Sequence, residues 1–208
     1  MTFSDGYTDL PQGKIASVVT YLEMRERPRA SLVGAPPGIS VRKVPQPDLA
    51  WYRELYRAVG QDWLWFSRLR MSDEELARTI HDPQVDLYAL SLDGSLDGED
   101  GKKKEDKGLL ELDRRTQPDV EIASFGLTLD LMGRGAGQYL MGQALKAAWS
   151  HSPQRVWLHT CTLDHPRALA FYLKAGFVPY KRGIEVSDDP RLTGEIPRTT
   201  APNVPVIG

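Results

Sequence analysis

The sequence is poor in features that mark several large classes of protein. It contains one cysteine, Cys161, which excludes an internal disulfide and favours a reducing compartment. It has no run of roughly 18 apolar residues, so we expect no membrane span. The residues from Met1 to Gly13 are polar and contain Gly and Pro, unlike a signal peptide. We therefore expect a cytoplasmic protein.

An excess of positive charge is also missing. Lys and Arg number 26 against 28 Asp and Glu, for a formal charge of −2. Without a basic excess there is no electrostatic reason to expect binding to nucleic acid. The 208 residues are 41% apolar, which suits one domain with a core of its own.

Composition divides the chain into three parts. Residues 1–14 are predicted to form an N-terminal arm, 15–186 a single domain, and 187–208 a C-terminal tail. The tail carries four prolines and is expected to be a surface arm. Within the domain, residues 93–107 are turn formers and charges, which predicts a flexible hairpin loop.

The pattern of apolar residues predicts a mixed α/β sheet. Strands are expected at 15–24, 39–44, 85–92, 108–115, 120–130, 155–162 and 177–186. Helices are expected at 48–60, 72–80 and 166–175, and from the glycines near residue 135 to about Ser150. Hairpins come first and strand–helix–strand units later.

The strand at 120–130 changes phase. Val120 and Ile122 are apolar at even positions, whereas Phe125, Leu127 and Leu129 are apolar at odd ones. Such a slip needs one extra residue, which a β-bulge supplies, and the adjacent Gly126 would ease the distortion. A bulge turns backbone N–H and C=O groups away from the ladder, where a ligand can reach them.

A glycine cluster joins this strand to the next helix. Gly133, Gly135 and Gly137 alternate with Arg134 and Ala136. Free N–H groups at a helix start, together with the helix dipole, bind phosphate oxygens. No Gly-Lys-Ser/Thr follows and the spacing is not Gly-x-Gly-x-x-Gly, so the two common nucleotide loops fit poorly.

These segments resemble the GNAT N-acetyltransferase superfamily. The stretch Glu121 to Gly137 resembles its acetyl-CoA segment, a bulged strand followed by Gln/Arg-x-x-Gly-x-Gly/Ala and a helix. The stretch Leu163 to Phe177 is similar to its second motif, Asn-x-x-Ala-x-x-x-Tyr-x-x-x-Gly-Phe. The resemblance covers about 120–180. It implies a mixed, mostly antiparallel sheet flanked by helices, with a bulged and splayed central strand.

The resemblance also implies acetyl-CoA as acyl donor and a set of residues that hold it. Met132 stands where the family usually has Gln or Arg, and Asp164 replaces the common Asn, from where it could cap the helix or accept a pantetheine N–H. The implied coenzyme-binding residues are Phe125, Leu127, Thr128, Leu129, Met132, Gly133, Arg134, Gly135, Ala136, Gly137, Gln138, Asp164 and Ala168.

Two residues are candidates for proton transfer. Tyr172 occupies the motif's tyrosine position and would protonate the departing sulfur, although its helical stripe also suits a core residue. Glu121 matches the glutamate base of the histone-acetylating branch, although it also suits the exposed side of a strand. Glu111 and Asp113 on the neighbouring strand are substitutes.

The family places its acceptor next to the connector that holds Trp63, Trp65 and Arg68. These residues could shape an acceptor pocket, with Arg68 meeting a carboxylate, or the tryptophans could belong to the core. His159 and Cys161 share one strand face, but their spacing matches no known metal or thiol site. We expect them to pack under a helix, and we expect no metal.

The leading expectation is an enzyme that transfers acetyl from acetyl-CoA to a primary amine, small molecule or peptide, by direct attack in a ternary complex. A non-catalytic CoA-binding protein of the same fold, or a nucleotide-phosphate-binding module, are the alternatives. The sequence does not predict the oligomeric state, and a homodimer would have the first strand and the Pro-rich tail as candidate contact arms.

Overall fold

The computed structural model describes residues 5–28, 33–93 and 104–208. Its strands are β1 Lys14–Met24, β2 Ile39–Lys43, β3 Val85–Asp93, β4 Lys104–Asp113, β5 Val120–Leu127, β6 Val156–Cys161 and β7 Val178–Asp188. Its helices are α1 Leu49–Gly60, α2 Ser67–Arg70, α3 Asp73–Ile80, α4 Ala136–Trp149, α5 Ala168–Lys174 and α6 Pro190–Thr193. Short 3-10 turns occupy Gln61–Trp63 and Leu129–Leu131.

The seven strands form one sheet in the order β2-β3-β4-β5-β6-β1-β7. Every neighbouring pair is antiparallel except β5 and β6. This is the mixed, mostly antiparallel sheet flanked by helices that the sequence predicted.

Helices cover both faces of the sheet. On one face α4 contributes Leu140, Ala144 and Ala148 to a core that includes Leu158 of β6. On the other face α1 and α3 pack on β3 and β4. The helix α3 begins after Ser72, whose side chain and that of Glu75 form the predicted capping box. The helices leave part of the sheet beside β5 uncovered.

The predicted bulge is present, and it lies at Ala123. Glu111 of β4 is opposite Ser124 and Leu112 is opposite Ile122, so Ala123 is the extra residue. Gly126 serves packing instead, since a Cβ there would lie 3.1 Å from Trp65. The strand ends at Leu127, before the predicted Asp130.

The predicted splay of the central strand is also present. The register of β5 with β6 covers only Val120 with Val156 and Glu121 with Trp157. Beyond these pairs the two parallel strands separate. The edge of β5 that faces β6 is therefore open from Ile122 to Leu127, which creates a wedge in the middle of the sheet.

The first strand and most of the tail are packed into the domain. β1 lies inside the sheet, between β6 and β7, because its backbone pairs with both. In the tail, Arg191 is 4% exposed, makes an ion pair with Asp189 and donates to the carbonyl of Val204. Ile196 packs on Ile15 and Leu64. Buried pairing and apolar contact thus hold the tail to the domain.

The charged hairpin is shorter than the predicted 93–107. Asp93 ends β3, and the residues from Lys104 to Lys107 belong to β4, where Glu105 pairs with Leu92. The rest of the predicted loop lies outside the described residues. No helix in the described ranges is long and apolar enough to cross a bilayer.

Candidate active site

The wedge between β5 and β6 opens into a cleft with a volume of about 800 Å³. We divide it into two halves. The glycine half is lined by Phe125, Gly126, Leu127, Met132, Gly133, Gly135, Gly137, Gln138, Ala168, Phe171 and Tyr172. The acidic half is lined by Ile15, Ser17, Trp63, Phe66, Arg68, Asp113, Arg115, Glu121, His159, Leu163, Glu185 and Ser187.

Backbone N–H groups converge on the glycine half. Gly133 and Gly135 have φ of 79° and 81°, a conformation that L side chains rarely adopt. Gly135 is the N-cap of α4, and no side chain caps this helix. Within the described part of the chain, the amides of Gly133, Gly135, Ala136, Gly137 and Gln138 have no hydrogen-bond partner. Such a nest of free donors at a helix N-terminus suits a phosphate group.

The neighbouring strand adds free donors of its own. The N–H of Thr128 donates to the carbonyl of Lys107 at 2.8 Å, on the β4 side. Because successive N–H groups of a strand point to opposite edges, those of Leu127 and Phe125 point away from β4. They face the wedge, where β6 has separated. An extended ligand can lie along this edge as an added strand.

The predicted coenzyme residues are not equivalent in this geometry. Nine of them line the cleft: Phe125, Leu127, Met132, Gly133, Gly135, Gly137, Gln138, Asp164 and Ala168. Ala136 is fully buried and offers only its N–H. The amide of Thr128 is used by β4, Leu129 is 55% exposed, and neither residue lines the cleft. Arg134 is exposed beside the glycine turn and is not part of the lining.

Tyr172 lies where both halves meet. Its ring packs edge-on against Phe125 with centroids 6.1 Å apart, and also contacts Phe171 and Phe177. Burial raises the pKa of its hydroxyl above the ordinary value, with a further contribution from Asp164. Among described residues the hydroxyl has no hydrogen-bond partner, and the side chain lines the cleft. It is a neutral donor available to a ligand.

The roles expected of Asp164 need correction. Its carboxylate already accepts from Trp65 Nε1 at 3.0 Å, from Thr160 Oγ1 at 2.7 Å and from the N–H of Cys161 at 2.8 Å. These hydrogen bonds connect β6 to the segment that holds Trp65. Asp164 does not cap α5. His165 holds the start of α5 instead, because its Nδ1 accepts the N–H of Arg167 at 3.0 Å. The motif has its Asn three residues before the Ala, so the position that corresponds to this Asn is His165, three residues before Ala168.

Glu121 is a carboxylate of the acidic half whose pKa is raised. Burial raises its pKa from the usual 4.5 to about 7, and the neighbouring Asp113 and Glu111 add to the shift. Asp113 lies directly opposite on β4. In the described structure Glu121 has neither an ion-pair partner nor a hydrogen-bonded one. A carboxyl group that titrates near neutral pH can accept a proton during a reaction.

Arg68 and Glu111 are committed to each other. Arg68 Nη2 donates to the fully buried Glu111, which also accepts from the hydroxyl of Tyr52 at 2.7 Å. The carboxylate of Glu111 holds the pKa of Arg68 above its ordinary value in spite of burial. Arg68 lines the cleft, but its charge is already balanced, so it is poorly suited to the substrate carboxylate that the sequence suggested. Glu111 is likewise unsuited to act as a base.

The tryptophans of the connector differ from each other. Trp65 packs tightly against Gly60, where an added Cβ would lie 2.5 Å from the Trp65 side chain. Trp63 lines the acidic half and packs edge-on against His165, with centroids 4.8 Å apart. Trp63 is thus the better placed of the two to contact an acceptor.

The expectation that His159 and Cys161 pack under a helix is wrong. His159 is exposed and packs beside Tyr21 and Trp157, on the sheet face opposite to α4. Burial raises the pKa of the Cys161 thiol, which makes it a weaker nucleophile. In the described residues no group of three or more His, Cys, Asp or Glu could hold a metal ion.

Sequence reasoning missed the contributions of β1 and β7. Ser17 from β1, with Glu185 and Ser187 from β7, line the far end of the acidic half. Their alternation in sequence shows only that they share a face of a strand. That the face borders the cleft depends on the pairing of β1 between β6 and β7, which is a contact between distant parts of the chain.

Comparison with known proteins identifies a family model. The model described as the Acetyltransferase (GNAT) family matches residues 53–177. The match thus begins inside α1 and ends before β7, so β1 lies outside it although it completes the sheet. No curated protein matches the chain.

Solved structures show the same fold at low identity. A GCN5-related N-acetyltransferase from Sphaerobacter thermophilus superposes with a TM-score of 0.60 at 16% identity, over 83% of this chain and 52% of that one. A GCN5-related N-acetyltransferase from Kribbella flavida gives 0.54 at 15%, over 88% and 63%. A tandem GNAT protein from the clavulanic acid biosynthesis pathway gives 0.53 at 15%, over 83% and 54%. This chain spans about half the length of the first and third of these proteins.

Proposed function

Because the chain belongs to the GNAT acetyltransferase family, we propose that it transfers an acetyl group from acetyl-CoA to a primary amine within a ternary complex. One observation carries the proposal. Free main-chain donors at 133–138 and along β5 form one continuous surface, and this surface leads from a phosphate-type nest to Tyr172. A coenzyme with a diphosphate at one end and a pantetheine arm fits that layout.

The residues present fit the proposed coenzyme. The amides of Gly133 and of 135–138 would hold the diphosphate, and Arg134 would add positive charge beside it. The N–H groups of Phe125 and Leu127 would hold the pantetheine arm. Bound acetyl-CoA supplies an acetyl group activated as a thioester. The Phe125 N–H would then donate to the acyl oxygen, where negative charge develops during attack.

Glu121 and Tyr172 divide the proton transfers. Glu121, with its pKa near 7, takes the proton from the acceptor ammonium, directly or through water, so that the neutral amine can attack. The N–C bond forms while the C–S bond breaks, and the second proton that the nitrogen loses on forming the amide returns through water to Tyr172. Tyr172 keeps its proton at neutral pH because its pKa is raised, and it donates that proton to the departing sulfur.

An acetyl-CoA consumption assay against a panel of primary amines tests the proposal. We expect turnover with at least one amine, and a large loss in the Tyr172→Phe variant with CoA binding retained. If CoA binds tightly but no amine is acetylated, the chain is a non-catalytic CoA-binding protein. If ATP stabilises the protein more than acetyl-CoA does, the nest serves a nucleotide and the proposal is wrong.

A further inference from the structure

The charges of the acidic half are unevenly balanced. Its arginines are paired: Arg68 with Glu111, and Arg115 with Asp113 at 2.5 Å. The carboxylates of Glu121 and Glu185 have no ion-pair partner in the described ranges, although both line the cleft.

Cations just outside this half are also committed. Lys14 is bound to Asp188 at 2.6 Å, and Arg70 to Glu195 at 2.8 Å. Lys181 lies over the ring of Tyr21, 4.6 Å from its centroid. Arg167 also lines the cleft without an ion-pair partner among the described residues, but it lies at the start of α5 beside Ala168, in the glycine half.

The register of the sheet locates Glu185 relative to Cys161. Cys161 ends β6 and lines the cleft, four residues beyond Trp157, the last residue of β6 that pairs with β5. Cys161 is opposite Val19, which is opposite Gly183 of β7. Glu185 is two residues beyond. Two strand spacings and two residues place its Cα about 12 Å from that of Cys161.

Apolar side chains line part of the acidic half. Leu163 lies just beyond β6, Ile15 lies on β1, and Trp63 and Phe66 line it from the connector, while Ser17 of β1 is opposite Glu185. A chain of methylene groups would bury its surface there favourably, whereas a polar backbone would lose hydrogen bonds to water.

We infer that the acceptor is an extended diamine, with one amine acetylated near Phe125 and Tyr172 and a second ammonium group bound by Glu185. The inference rests on the proposed function and names its substrate class. Glu185 acts here as a specificity residue and not in the chemistry.

A length-matched series of acceptors tests this assignment. In an acetyl-CoA consumption assay at low salt, we expect kcat/KM for 1,8-diaminooctane to exceed that for octylamine about fivefold, as for a partly exposed ion pair. The Glu185→Gln variant should abolish that preference through KM, with kcat retained and octylamine changed less than twofold. Because the contact is screened by ions, the preference should shrink in 0.5 M NaCl.

Asp188→Asn supplies the matched control. Asp188 lies on the same strand, but it pairs with Lys14 and does not line the cleft, so its loss should leave the preference intact. CoA affinity, measured on the same preparations, verifies that each variant is folded. Equal kcat/KM for the diamine and the monoamine, or an unchanged preference in Glu185→Gln, would overturn the inference and leave the proposed function standing. A failure to acetylate any amine would overturn both.

Discussion

Replacing Glu121 with Gln should stabilise the protein at alkaline pH and leave its stability at acidic pH nearly unchanged. Burial raises the pKa of Glu121 from 4.5 to about 7, so the folded state holds its proton where the unfolded chain has lost it. The native state binds more protons than the unfolded state between these two values. Stability contributed by this group therefore falls as pH rises from about 4.5 to 7, and the full penalty remains above 7.

The size of the effect follows from the shift. A difference of roughly 2.5 pKa units at about 1.4 kcal/mol each sets an upper limit of about 3.5 kcal/mol, and water in the open cleft reduces this to about 1–2 kcal/mol. For a domain of this size, each kcal/mol corresponds to about 2–4 °C in Tm. We expect Glu121→Gln to raise Tm by about 3–6 °C at pH 8.5, and by less than about 1 °C at pH 4.5.

Calorimetric melting of both proteins at the two pH values measures this difference. Glu54→Gln, which removes an exposed carboxylate from α1, controls for the change in net charge. Glu121→Gln should lose about 10²-fold or more in kcat/KM, and the wild-type rate should fall as pH drops through 7 because Glu121 becomes protonated. An equal Tm change at both pH values would refute the account of a buried, charge-crowded carboxylate.

Three further substitutions test other parts of the structure. Tyr172→Phe keeps the ring packing but removes the proton donor, so kcat should fall about 10²-fold while the Kd for CoA, by calorimetry, changes less than twofold; weakened CoA binding would instead indicate a packing role. Arg68→Met leaves Glu111 charged and without its main partner in the core, which should cost about 3–5 kcal/mol in urea unfolding; a cost below 1 kcal/mol would mean that the pair is not buried. Ile196→Ala should cost about 2–4 kcal/mol if the tail is part of the core, and nearly nothing if it is a surface arm.

Local patterns predicted the local features of the site. The phase change between Ile122 and Phe125 indicated a bulge, which the register places at Ala123. The glycine spacing indicated a nest of free amides, and Gly133 and Gly135 have the positive φ that such a turn needs. Both features depend on neighbouring residues in the chain, so periodicity and backbone stereochemistry are enough to detect them.

Features that depend on distant contacts were missed. Nothing in the composition of β1 shows that it pairs between β6 and β7, and hence that Ser17 and Glu185 border the cleft. The proline-rich tail is predicted to be a surface arm because Asp189 and Arg191 are charged residues. Sequence alone does not show that folding buries them as an ion pair. Asp164 does not cap α5, because the position three residues before Ala168, where the motif has Asn, is His165.

Main-chain amides at the start of α4 are proposed to hold the coenzyme diphosphate. Gln138 provides the sharpest test, because its amide is one of the unpaired donors and it lies in the first turn, where proline is best tolerated in a helix. Gln138→Pro removes this N–H, and Gln138→Ala keeps it while removing the same side chain.

Isothermal titration of CoA into the wild type and both variants compares these donors directly. We predict that Gln138→Ala binds CoA within about threefold of the wild type, whereas Gln138→Pro, with an unchanged Tm, binds about tenfold more weakly, as expected for one charge-assisted hydrogen bond. The absence of binding in the wild type, or equal affinities of the two variants, would contradict the account.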